Sequence, residues 1–228
     1  MRHLQREIDR LKRQMLALGA VVEENLRLAF HAIEARDAAA ARTVIATDLV
    51  IDQNEVELEE ECLKILALYQ PVASDLRFIM AVVKINNELE RIGDLAVNIG
   101  ERAISLAEAD PVPVPLGLSV MADRTNAIIE KALDSLVRQD AATAHRVLAA
   151  DDEIDALYAD LIETLKDIIR AHPEQLDATV LLFSVARALE RLADHATNIA
   201  EDVLYMVEGE IHRHQGPEAL GDVFRVDT

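Results

Sequence analysis

The residues in this sequence able to do chemistry are carboxylates, and they are written twice. "NNELERIGDLAVNIGERA" (86–103) returns as "ARALERLADHATNIAEDV" (186–203). Glu90, Arg91, Asp94, Asn98 and Glu101 recur as Glu190, Arg191, Asp194, Asn198 and Glu201. Glu90 and Asp94 stand four residues apart, as do Glu190 and Asp194, so each pair shares one helix face. Two further pairs have the same spacing: Asp48 with Asp52, and Asp151 with Asp155. Carboxylates brought close together resist full ionisation. They take up protons, spread into water, or bind a cation. All-oxygen ligands suit hard ions such as Mg²⁺, Mn²⁺, Ca²⁺ or iron.

The elements that must position these groups are long helices. Taking Glu90 as zero, a turn of about 100° per residue puts Asp94 near 40° and Glu101 near 20°. Ile92, Leu95, Ala96, Ile99 and Ala103 fall on the opposite side and form the core stripe. Asp52 and Glu90 are equidistant from Pro71, 19 residues on either side, and Asp48 and Asp94 lie 23 residues on either side. If the helices around Pro71 run antiparallel, Asp52 faces Glu90 and Asp48 faces Asp94. Around Pro173 the same arrangement places Asp151 and Asp155 opposite Asp194 and Glu190. Glu55 and Glu59 extend the first patch, as do Asn98 and Glu101. The alternatives are a plain solvated face, or acids neutralised by Arg91 and Arg191.

Periodicity places helices at about 4–35, 38–70, 74–108, 117–138, 141–171 and 174–208, with no strand-like alternation. "DAAAARTVIATDLVID" (37–52) matches "DAATAHRVLAADDEID" (140–155), so each half reads helix, helix, Pro turn, helix. The expected fold is all-α, two tandem three-helix bundles: residues 1–108, a Pro-rich linker at 109–116, residues 117–208, and a loose tail at 209–228. Ser74 and Asp75 are candidate N-caps for the third helix. His212 and His214 in the tail are possible ligands, or simply solvated.

Composition bounds the partners. The net charge of −19 disfavours nucleic acid and anionic lipid. Arg2, Arg6, Arg10, Lys12 and Arg13 form a short basic stretch, read as an exposed helix start. Cys62 is the only cysteine and falls on an apolar helix side, as a small core residue would. A single cysteine excludes an intramolecular disulfide, which suits a cytoplasmic location. The first residues lack the apolar segment of a signal peptide. No apolar run is long enough to be a transmembrane segment.

The chain resembles the PhoU family of regulators of bacterial phosphate uptake. The likeness rests on "ERIGD" (90–94) and "ERLAD" (190–194), on "QPVASDLRF" (70–78) before the first, and on "EDVLYMVEGEIHRH" (201–214) after the second; it spans about residues 3–214. The resemblance implies two bundles related by pseudo-twofold symmetry. It implies metal binding at Glu90, Asp94, Glu190 and Asp194, with Asp48, Asp52, Asp151 and Asp155 supplied by the antiparallel helices. The ions would be iron, zinc, Mn or Mg, in some members as multinuclear clusters. Where the first half has Glu55, the second has Tyr158, so the two sites need not hold the same number.

Functionally, the resemblance implies a cytoplasmic, non-catalytic negative regulator of the phosphate-starvation response. Its partners would be the ATPase subunit of the phosphate ABC transporter and a sensor histidine kinase, with peripheral association at inner-membrane complexes and a homodimer expected. Two other readings compete. One is a carboxylate-bridged metalloenzyme, an oxidase or hydrolase. Against it, no Glu is followed three residues later by His, and HExxH, P-loop and G-x-G-x-x-G patterns are absent. The other is an adaptor whose acidic faces dock basic surfaces without metal.

Overall fold

Asp37 and Asp140 open equivalent helices in the two halves, and both do it the same way. Each accepts hydrogen bonds from backbone amides that the first helical turn leaves unpaired: Asp37 from Ala39 and Ala40, Asp140 from Thr143. The computed structural model describes residues 2–110 and 112–209. It contains six α-helices: α1 (Arg2–Ala35), α2 (Ala38–Tyr69), α3 (Ala73–Glu108), α4 (Leu116–Arg138), α5 (Ala141–Ala171) and α6 (Leu176–Glu208). No strand occurs among the described residues. The tail with His212 and His214 lies outside the described residues.

α1, α2 and α3 pack on one another, as do α4, α5 and α6, and the pseudo-symmetry of the repeat is the symmetry of the fold. The two bundles do not merely trail from a linker. α3 packs against α6 as closely as helices pack within a bundle, and α1 also meets α4, so one apolar core runs through both halves. Its members are mostly aliphatic, as the scarcity of aromatics requires, with Phe30 and Phe78 at its margins. Cys62 is fully buried there, and burial first, with Glu59 and Glu61 nearby, pushes its thiol up to about 12.

The corners carry the departures from expectation. Ser74 and Asp75 do not cap α3. Ala73 takes a positive φ of 49° and already belongs to the helix, so the capping position falls on Val72, which offers no side-chain bond. Asp75 is left inside the first turn, where its charge still suits the helix dipole. In the second half a 3-10 turn over Pro173–Gln175 delays α6 to Leu176. Arg36, in the α1–α2 corner, reaches the far end of α3. Its guanidinium donates to the carbonyl oxygens of Leu106 and Ala109, closing a C-terminus that has no basic residue of its own.

Close approach of α2 to α3 is set by glycine. A Cβ at Gly100 would lie 3.2 Å from the backbone oxygen of Ala41, and one at Gly93 would lie 3.2 Å from an Ile51 methyl and 3.3 Å from Asp48 Oδ1. The second half has Ala193 and Ala200 at these positions. Backbone cannot step aside as a side chain can. Gly100→Ala is therefore expected to destabilise by about 1–2 kcal/mol despite its gain in helix propensity, whereas Gly93→Ala stays within roughly 1 kcal/mol of wild type. Urea denaturation of both variants checks the ordering.

Candidate metal centres

Three cross-helix contacts fix the register of α2 against α3. Asn86 Nδ2 donates to the Glu55 carbonyl oxygen at 2.8 Å, Asp48 Oδ1 lies against Gly93, and Ala41 lies against Gly100. The partners step by seven residues in opposite directions, so the helices are antiparallel. Asp48 therefore sits beside the residue preceding Asp94, one position from the register expected of Pro71. Asp48, Asp52, Glu90 and Asp94 fall on one face of the α2–α3 pair, with Glu55 at its lower edge. Across α5 and α6, Asp151, Asp155, Glu190 and Asp194 are grouped in the same way.

The electrostatics reflect this crowding. Burial, then the charges of Asp52 and Asp94, raise the Asp48 carboxyl above its ordinary range. Burial also leads at Glu90, reinforced by Asp94, Asp52 and Glu55 and opposed by Arg91. Glu55 is raised by burial, Glu59 and Asp52. In the second group, burial and the charges of Asp155, Asp194, Asp152 and Glu190 carry Asp151 up to about 6. Glu190 and Asp194 are raised chiefly by burial, with basic neighbours offsetting part of the effect: Arg187 and Arg191 at Glu190, His195 and Arg191 at Asp194.

The arginines offset the charge of the faces only in part. Arg91 reaches only its neighbour Glu90, at 3.9 Å, and is itself exposed. Asn98, expected to extend the first patch, is otherwise engaged, and so is its repeat counterpart Asn198. Asn98 donates to the Asp94 backbone oxygen, and Asn198 turns away to Glu88. Glu101 pairs with Arg102.

The donor set fits a hard cation. Every group is a carboxylate oxygen, and Asp48 Oδ1 is buried without a hydrogen-bond partner, a position an ion would satisfy. The faces are nevertheless open. Among the described residues, no three His, Cys, Asp or Glu side chains converge into a ready-made ion cage. Binding would draw these side chains inward by rotation, at a cost in side-chain freedom.

Protonation gives a test of the crowding at the second face. The Asp151 pKa rises from 3.8 to about 6 on folding, so the folded protein holds this proton more tightly than the unfolded chain does. Its contribution to stability is full below the unfolded value and is lost as pH rises through about 6. A shift of this size in a fully buried site would be worth ~3 kcal/mol; half-exposed and screened by solvent, it is worth about 1 kcal/mol. Asp151→Asn is thus expected to stabilise metal-free protein by about 1 kcal/mol at neutral pH, and the advantage should vanish near pH 4. Urea melts at the two pH values measure it.

Sequence reasoning missed a polar seam between the bundles. Glu88 Oε2 on α3 accepts from Asn198 Nδ2 at 3.1 Å and lies 2.7 Å from His195 Nδ1, both on α6. One turn further, Lys84 Nζ lies 2.9 Å from Asp202 Oδ1 and packs over the Tyr205 ring. The available signal was Asp202 itself, a charge within the apolar stripe of Ile199, Val203 and Met206.

Both halves of the chain match the same family model, the PhoU domain, over residues 15–103 and 118–203. The chain belongs to the PhoU family. A PhoU homologue from Aquifex aeolicus, described as a phosphate-specific transport system accessory protein, is 37% identical over 217 residues, spanning 95% of this chain and 98% of its own. Among solved structures, PhoU from Pseudomonas aeruginosa superimposes with a TM-score of 0.87 at 34% identity, covering 90% of this chain and 99% of that one. The phosphate transport system regulatory protein PhoU from Streptococcus pneumoniae gives 0.84 at 26% identity, covering 91% and 98%. Both share this chain's fold over 90% and 91% of its length. As in the sequence reading, no helix among the described residues is long and apolar enough to cross a membrane.

Proposed function

We propose that this chain is a negative regulator of phosphate uptake and phosphate-starvation signalling. It acts as a scaffold between the ATPase subunit of a phosphate ABC transporter and a sensor histidine kinase, as a cytoplasmic homodimer associated peripherally with the inner-membrane complex. The observation that carries this is the doubled PhoU match, with near-full-length relatives named as accessory proteins of phosphate-specific transport. Accessory and regulatory names also favour a non-catalytic role over a metalloenzyme.

Metal ions (iron, zinc, Mn or Mg) would be held at two faces: Asp48, Asp52, Glu90 and Asp94 on the first, and Asp151, Asp155, Glu190 and Asp194 on the second. A bound cation would supply positive charge that neutralises the acids. The chain's own residues supply the rest. The antiparallel helices hold the carboxylates at fixed heights, Gly93 lets Asp48 lie against α3, and the apolar core keeps both faces on one rigid body. Neutralisation would change the field each face presents to a protein partner.

The test is recovery of the tagged full chain from phosphate-replete cells. The transporter ATPase or the histidine kinase should co-purify, and deleting the gene should switch on phosphate-starvation genes while phosphate is ample. Recovery of neither partner, with an unchanged phosphate response in the deletion strain, would count against the scaffold role.

A further inference from the structure

The outer side of α2 carries an apolar stripe that the fold does not use. Leu49, Val56 and Leu63 are 74%, 52% and 57% exposed, although α2 buries Val44, Ile51, Leu58, Cys62 and Ile65 against α1 and α3. Positions seven apart drift by only ~20° per step, so the three side chains line one stripe about 21 Å long. The protein contains its own control. The equivalent positions of α5, read from the repeat, are Asp152, Ala159 and Lys166, all exposed. The same helix in the same architecture thus does without large apolar residues here, and packing cannot account for them in α2. Large exposed aliphatic side chains in a row mark an interaction surface.

The flanks say what kind of partner fits. Between residues 48 and 64, α2 carries seven carboxylates against a single lysine, Lys64. Asp52, Glu59 and Glu60 border the stripe and are exposed. A second copy of this helix would bring carboxylates against carboxylates, and an anionic membrane surface would meet the same repulsion. A helix with an apolar stripe between rows of Lys or Arg would satisfy both features at once.

We propose that the outer face of α2 docks a cationic amphipathic helix of another protein, with Leu49, Val56 and Leu63 receiving its apolar stripe and Asp52, Glu59 and Glu60 its basic flanks. This surface goes beyond the proposed scaffold role by giving one partner a place and a chemistry. It shares Asp52 with the first carboxylate face but requires no ion there, so it is tested with chelator present and its outcome is read separately from metal binding.

The probe is a fluorescent designed peptide of about 21 residues, with leucines at heptad spacing and lysine flanks. Full-length wild-type protein should bind it saturably below about 100 µM. The L49D/V56A/L63K variant installs the α5 residues at exposed positions and should melt like wild type. Its affinity should fall about tenfold or more. Two control peptides, one with glutamate flanks and one with serine in place of leucine, should not bind. The reciprocal variant D152L/A159V/K166L should acquire a second peptide site on α5.

Several results would overturn the proposal: no saturable binding, equal binding by wild type and the first variant, or binding of either control peptide. So would a wild-type dimer that L49D/V56A/L63K dissolves without any peptide affinity, since the face would then join two copies. Attachment of wild type to phosphatidylglycerol vesicles, lost in that variant and unaccompanied by peptide binding, would assign the face to lipid instead.

Discussion

Lys84→Met is expected to destabilise the protein by about 3 kcal/mol, the usual scale for removing a charged partner from a buried charge. Asp202 is only 2% exposed, and Lys84 Nζ lies 2.9 Å from its Oδ1 across the α3–α6 contact. Without the ammonium group, the Asp202 carboxylate loses a charged partner at the junction of the two bundles, and its ionised form becomes costlier to keep there. The pair itself contributes little net stability, because both charges lose hydration when the bundles meet. Lys84→Met/Asp202→Leu should therefore recover most of the loss, to within about 1 kcal/mol of wild type. Urea denaturation of the single and double variants measures the coupling. The positions related by the repeat hold Ser184 and Arg102, so the pair occurs on one side of the pseudo-twofold only.

Removing one acid from each carboxylate face is expected to have the largest effect on ligand binding. Asp94→Ala should weaken cation binding at the first face at least about tenfold, and Asp194→Ala should do the same at the second, with the other face retained in each case. The faces should also differ. Glu55 borders the first and raises the charge there, whereas Tyr158 stands at its counterpart. Protons compete for the same oxygens. With Asp151 carried up to about 6, affinity at the second face should fall as the solution is acidified through that value.

Much of this arrangement was legible in the chain because long helices leave few choices. Helix periodicity, the corner prolines Pro71 and Pro173, and the Pro-rich linker located six helices to within about two residues, and the repeat showed the halves to be copies. The register was legible to within one residue. Pro71 is not the centre of the turn: α2 ends at Tyr69, Gln70 takes a left-handed conformation, and α3 begins at Ala73. The fold-back therefore centres between Gln70 and Pro71, which puts Asp48 beside Gly93. Asn198 could not be placed correctly, because its partner Glu88 belongs to the other bundle. Helical spacing reports which face a residue occupies and says nothing of what another helix brings to it. The same limit hid the Lys84–Asp202 pair. The comparison of repeats is informative where the copies differ, as at Leu49 and Asp152.

Calorimetric titration of chelator-stripped protein with Mn²⁺, followed by Fe²⁺ under anaerobic conditions, tests the ion-holding faces most directly. Wild type should bind saturably at both faces, each single variant at one, and Asp94→Ala/Asp194→Ala at neither, with the helical fold intact by circular dichroism. Absence of saturable binding to wild type, or equal binding by the double variant, would contradict the assignment and leave two acidic surfaces without an ion.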